Sequence, residues 1–179
     1  MRQRAPAGTA RQDRGVGRRD EVDDSRSEPS RLTGIDHIAI AVRHLDAAIA
    51  WYESALGAWV THRERVDHDG VEEALVQVAG SFIQLLSPTT DSSPVARFLD
   101  RKGEGIHHVG YRVADCAAAM ERMRAAGAVL IDETPRPGSR GTVVAFVHPR
   151  SAFGTLIELV ETQPDDPSRS GAQASRNCR

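Results

Sequence analysis

The 179 residues carry a formal net charge of −2, with 40% hydrophobic and 27% charged side chains. Such a chain suits one soluble core, or two half-size modules sharing one, and offers no broad basic field to nucleic acid. No apolar run approaches the roughly 20 residues of a membrane span, so a membrane is not an expected partner either.

Residues 1–31 are dominated by Arg, Asp, Glu, Ser, Gly and Pro, and residues 162–179 have the same character. Both are expected to be disordered, because they cannot bury enough apolar surface to offset the entropy of ordering. The amino-terminal stretch lacks the apolar segment of a secretory leader. A folded domain is expected over 32–161. Cys116 falls in a predicted helix and Cys178 in the tail, and unpaired thiols fit a reducing, cytoplasmic setting.

The folded part opens with "DHIAIAV", where Ile38, Ile40 and Val42 alternate as in a half-buried strand. "HLDAAIAWYESALGA" follows, placing Leu45, Ile49, Tyr52 and Leu56 on one helical face, with Gly57 where a left-handed cap would end it. Three strand-like runs come next: "WVTHRERV", "EEALVQVAG" and "FIQLLSP". "SSPVARFLDRKGEG" reads as a linker helix over 92–102, capped by Ser92 or Ser93 with Pro94 in its first turn. The pattern then repeats. "HHVGYRV" is the first strand, "DCAAAMERMRAA" a helix capped by Asp115 and ended at Gly127, and "AVLIDE", "TVVAFVHP" and "TLIELVE" are three more strands. The predicted class is α+β: two tandem βαβββ modules, 34–88 and 105–161, forming a curled mixed sheet around a shared cavity.

In register, His37 matches His108, 71 residues later, and Asp36 matches His107. Gln84 and Glu158 lie 47 and 50 residues beyond their respective histidines. Each module thus offers one imidazole on its first strand and one oxygen side chain on its last. Glu158 interrupts the apolar run Leu156, Ile157, Leu159, Val160, and a buried carboxylate needs a cation or good donors. Two imidazoles, an amide oxygen and a carboxylate suit one divalent first-row ion with positions left open. Cobalt(II) is the first choice, and manganese(II), nickel(II) and zinc(II) tolerate the same donors. His107 is expected to point away from His108, as strand side chains alternate, and to be structural or to support a ligand from behind. His148 is expected to serve a turn, and His44, His62 and His68 to be solvated.

These paired modules resemble the vicinal oxygen chelate superfamily of glyoxalases, extradiol dioxygenases and fosfomycin-resistance proteins. More narrowly, residues 33–161 resemble the methylmalonyl-CoA epimerases, through "IDHIAIAV", "DGVEEALV", "FIQLLSP", "SPVARFL", "GEGIHHVGYRV", "FVHPRSAFG" and "GTLIELVE". The resemblance implies an isomerase interconverting (2R)- and (2S)-methylmalonyl-CoA by removal of the C2 proton through a metal-stabilised enolate. It implies His37, Gln84, His108 and Glu158 as metal ligands, Glu73 and Glu158 as the acid–base pair, and an acyl-CoA substrate bound by a homodimer. Glu72 would face away from the cavity. Arg97, Arg101, Lys102, Arg136, Arg140 and Arg150 are candidates for CoA phosphates, and 135–141 looks like a mobile loop at the cavity rim. A glyoxalase-like isomerase, an extradiol dioxygenase and a non-catalytic small-molecule binder remain as alternatives.

Overall fold

The computed structural model describes residues 31–162, and the expectations for the two termini, Arg31 and Thr162 apart, lie outside them. Strand β1 (Leu32–Ala41) leads into helix α1 (Leu45–Leu56), followed by β2 (Trp59–Val66), β3 (Val71–Val78) and β4 (Ser81–Pro88). Helix α2 (Pro94–Lys102) bridges to β5 (Gly105–Val113) and helix α3 (Cys116–Ala125). Strands β6 (Arg136–Pro137), β7 (Val143–Val147) and β8 (Ile157–Glu161) complete the chain.

Local chemistry sets the helix boundaries. Leu45 and Ile49 of α1 are buried one turn apart, packed with Ala74, Val76 and Leu85 of the sheet. Gly57 ends α1 with φ 63°, its N–H bonded to the Glu53 carbonyl at 3.1 Å. Leu56, predicted on the buried face, is half exposed, because that core cluster does not extend to the last turn. Ser93 caps α2 by accepting from the Val95 N–H, and Asp115 caps α3 by accepting from the Ala118 N–H. Val95 and Leu99 anchor α2 in a cluster with Ala41, Val71 and Leu86, while Cys116, Ala119 and Met120 pack α3 against Ala145 and Leu159.

All eight strands join one curled sheet in the order β2-β3-β4-β1-β5-β8-β7-β6. Each half has its first strand parallel to its last, β1 with β4 and β5 with β8. The halves meet where β1 and β5 run antiparallel, with Ile38 opposite Val109, His37 opposite Gly110 and Ala39 opposite His108. A pseudo-twofold axis therefore passes by Ile38 and Val109.

Two further expectations are corrected. "AVLIDE" forms no regular strand. Leu130 makes a single bridge to Val147, and beyond it the Asp132 carboxylate takes the Phe146 N–H at 2.7 Å, occupying a ladder donor with a side chain. The short β6 pairs with β7 in its place. Second, strand alternation fails at His107. The β1–β5 register slips at Asp36 on one strand and at His107 on the other, so each is the extra residue of a bulge. His107 consequently shares the cavity with His108 instead of facing away from it.

Gly110 is required by what lies over it. A Cβ built there would sit 2.5 Å from His37 Cε1. Gly110→Ala is therefore expected to destabilise the fold by about 1–3 kcal/mol, the usual penalty for overpacking, as read by urea denaturation. A variant as stable as the parent would show that the imidazole has room to move.

Candidate metal centre and acid–base site

The sheet register arranges the site in two rows across the strands. One row reads Gln84 on β4, Ala39 on β1, His108 on β5; the other reads His37 on β1, Gly110 on β5, Glu158 on β8. Each row is donor, small residue, donor. The small residue leaves space above the sheet in which side chains from the outer two strands converge.

Three of the four donors meet. His37 Nε2 lies 3.1 Å from His108 Nε2 and 3.1 Å from Glu158 Oε2, and His108 Nε2 lies 3.2 Å from the same carboxylate oxygen. All three side chains are buried. The fourth, Gln84, gives its Nε2–H to Glu73 Oε2 at 2.7 Å, and its Oε1 is a buried acceptor with no hydrogen-bond partner. Two ring nitrogens, a carboxylate oxygen and a leftover amide oxygen form a donor set that a divalent ion fits.

The bulged residues fix the imidazoles from behind. Asp36 Oδ1 accepts from His37 Nδ1 at 3.0 Å, and His107 Nδ1 lies 2.9 Å from His108 Nδ1. With each Nδ1 engaged, each Nε2 is left to face the donor cluster. Burial would lower the His37 pKa, but hydrogen bonds to Asp36 and Glu158 outweigh it and raise it to about 9. Burial lowers the pKa of His108, and lowers that of His107 to about 4 with help from the His108 charge. Burial alone would raise Glu158, yet the two histidines hold it well below the usual carboxylate range. Glu158 thus demands positive charge beside it. A proton on His37 would supply that, and a cation at the same point would supply it without the proton.

Glu73 sits apart from this charge. It is 3% exposed on β3, and its Oε1 has no hydrogen-bond partner. Burial raises its pKa to about 7, reinforced by Glu64 and Glu158, with Ser139 and Arg140 pulling the other way. Glu72, one residue earlier, faces outward and pairs with Arg63. Glu73, Gln84, His107, His108 and Glu158 line one cavity of about 180 Å³, together with apolar side chains such as Leu86 and Phe146 and, among others, Asp69, Asp132 and Arg136.

Sequence reasoning missed the role of Asp36 and misread Arg140. Asp36 is 6% exposed, and the Arg140 guanidinium reaches it at 2.8 Å from 104 residues away, with Arg112 at 3.3 Å. Burial opposes ionisation of Asp36, but His37 and Arg140 hold its carboxyl well below the usual range. Arg140 is therefore engaged inside the protein rather than free for phosphate. Its loop is latched as well, since the Arg140 N–H bonds to Glu64 Oε1 at 2.6 Å. Arg136 pairs with Asp69 and Asp132. The adjacent acid in "DHIAIAV" was the available signal for Asp36. His148 accepts from the Arg150 N–H in a turn, as expected, while His44 and His68 are exposed and His62 is half-buried beside Glu64.

Among known proteins, the family described as Glyoxalase/Bleomycin resistance protein/Dioxygenase superfamily matches residues 36–146. The ethylmalonyl-CoA/methylmalonyl-CoA epimerase of Cereibacter sphaeroides is 41% identical over 128 residues, 70% of this chain and 95% of that protein. The crystal structure of methylmalonyl-CoA epimerase from Mycobacterium tuberculosis superposes with a TM-score of 0.72 at 45% identity, covering 74% of this chain and 90% of that one. A structure of methylmalonyl-CoA epimerase in complex with methylmalonyl-CoA and NH4+ gives a TM-score of 0.72 at 37% identity, covering 76% and 99%. No helix among the described residues is long and apolar enough to cross a membrane.

Removing Arg140 leaves a buried carboxylate short of its principal cation. Arg140→Met is expected to lower unfolding free energy by about 3 kcal/mol near neutral pH, measured by urea denaturation. A loss below about 1 kcal/mol would show that Arg112 and His37 suffice to hold Asp36.

Proposed function

The chain belongs to the Glyoxalase/Bleomycin resistance protein/Dioxygenase superfamily, and on that premise we propose that it is a metal-dependent epimerase acting at C2 of methylmalonyl-CoA. The observation that carries this reading is the meeting of His37 Nε2, His108 Nε2 and Glu158 Oε2, the last two residues lining the cavity that Glu73 also lines. Relatives named as epimerases of this substrate, similar along almost their whole length, support the choice of reaction.

His37, Gln84, His108 and Glu158 would hold the ion. When bound, it would stabilise the negative charge that develops on the thioester and carboxylate oxygens as the C2 proton leaves. The chain's own part is to position C2 and to move a proton on either face of it. Glu73 is the first carrier. Its unpartnered Oε1 is free to take the proton, and a carboxyl with a pKa of about 7 can both accept and return one near neutrality. Gln84 fixes the other Glu73 oxygen and so aims the carboxylate. Glu158 is the second carrier, on the opposite face of C2, from within the donor cluster. Leu86 and Phe146 keep bulk water from competing for the carbanion. A cytoplasmic homodimer belongs to the same proposal, in keeping with the unpaired, buried Cys116.

The test is proton exchange. Incubated with methylmalonyl-CoA in D2O, the protein is expected to introduce deuterium at C2, followed by NMR, to lose this activity on chelation and to regain it with cobalt(II). Glu73→Ala is expected to lower the rate by roughly 10²–10⁴-fold while elemental analysis still finds the metal. Exchange that is absent, or indifferent to chelation, would overturn the proposal. Loss of metal from the Glu73 variant would overturn the separation of base from ligand.

A further inference from the structure

The loop that follows β6 in module two reaches back across the sheet to module one. In its 139–141 turn Arg140 takes a left-handed backbone, φ 57° and ψ 23°, which costs any residue with a Cβ and persists where the surroundings impose it. Two anchors impose it. The Arg140 N–H bonds to Glu64 Oε1 on β2, and its guanidinium gives Nη2–H to Asp36 Oδ1 at 2.8 Å, with 6% of the side chain exposed. The preceding residue, Ser139, is hydrogen-bonded through its side chain to Glu73. Consecutive residues of one turn thus touch Glu73 and the carboxylate behind His37.

The oxygen that Arg140 holds is the one that matters to His37. Asp36 Oδ1 accepts from His37 Nδ1 at 3.0 Å as well as from Arg140. Arg112, with 27% of its side chain exposed, reaches the other oxygen, Oδ2, at 3.3 Å from both Nε and Nη2. The His37 ring lies over Gly110, where a Cβ would come within 2.9 Å of three ring atoms. That contact sets the tilt of the ring but does not choose between its two nitrogens. Asp36 makes the choice. With Nδ1 on the carboxylate, Nε2 faces His108 Nε2 and Glu158 Oε2, 3.1 Å from each. Arg140 does not itself line the cavity, and its contact with the donor cluster runs through Asp36.

We infer that Arg140 is a positioning residue for the metal centre: by pinning Asp36 Oδ1 it fixes the direction in which His37 Nε2 points, and so raises the affinity of the donor cluster for a divalent ion. The inference rests on the metal reading of that cluster and adds a residue from the other half of the repeat, 104 positions away. A carboxylate bonded to an imidazole alone can pivot about its Cβ–Cγ bond. One clamped on one oxygen by Arg140 and on the other by Arg112 cannot. Charge-assisted bonds are the short, strong kind, and by length the Arg140 clamp is the firmer of the two.

The test is metal affinity, measured by competition with a chelator on variants shown to be folded by circular dichroism. Arg140→Met is expected to weaken cobalt(II) binding by roughly 10–100-fold, the usual consequence of losing support behind a ligating histidine. Arg112→Met, at the other oxygen, is expected to weaken it by no more than about threefold. In an Asp36→Asn background, Arg140→Met is expected to bring no further loss, since the two residues act as one unit. Arg140→Lys keeps a cation beside the buried carboxylate but not the planar guanidinium. It is expected to lose at least about threefold in affinity, and it decides the matter should the methionine variant not fold. Unchanged affinity in the folded Arg140 variants, equal losses at Arg140 and Arg112, or an undiminished loss in the Asp36→Asn background would overturn the inference. If the parent binds no cobalt(II), the metal reading fails on its own, and the Nδ1–H proton of His37, followed by NMR in the metal-free protein, decides instead. A downfield, slowly exchanging signal that disappears in the Arg140 variants upholds the inference, and one that is absent from the parent or survives the substitution overturns it.

Discussion

The antiparallel pairing of β1 with β5 about Ile38 and Val109 is the constraint from which the cavity follows. It brings two histidines 71 residues apart to 3.1 Å and sets each beside a small residue on the facing strand. Because strand side chains alternate, a one-residue slip of this seam would turn both imidazoles to the other face of the sheet. The parallel partners β4 and β8 then add Gln84 and Glu158 from the outside. No loop supplies a donor. Four groups on four paired strands are held by backbone ladders, which is the most rigid support a sheet can give a site.

Buried charge is the second organising fact. Asp36 and Glu158 are both nearly excluded from water, and both stay ionised because cations or hydrogen-bond donors surround them. His37 stands between them and touches each. The arrangement departs from symmetry at this point. The bulge on β1 carries an anion behind its histidine, and the bulge on β5 carries a neutral imidazole behind the other. His37 is accordingly the more basic of the pair and His108 the less. Duplicated modules have thus become two unlike walls around one space, as an inversion reaction with different groups on each face would require.

The repeat made most of this legible in the sequence. Matching His37 with His108 and Gln84 with Glu158 needs only period-two alternation and two nearly equal spacings, and the structure does put His37, His108 and Glu158 together. What escaped was whatever the backbone does irregularly. A bulge leaves no mark on an apolar–polar pattern, so His107 was read as facing the wrong way. "AVLIDE" has strand composition, but the Asp132 side chain captures the N–H that a further ladder bond would use. The tie from Arg140 to Asp36 spans 104 residues and could not be distinguished in the sequence from an arginine waiting for phosphate.

The small residue at the centre of each row has an implication for how such a duplicated protein can diverge. Ala39 and Gly110 touch no substrate in the scheme above, yet each underlies the reach of a histidine toward an oxygen donor two strands away. Chemistry can be retuned at the outer strands, one donor at a time, without disturbing the seam. Gly110 cannot drift on its own, because enlarging it presses on an imidazole contributed by the opposite half. Whatever reaction descendants of this chain come to catalyse, the two halves remain bound to each other's spelling at that line.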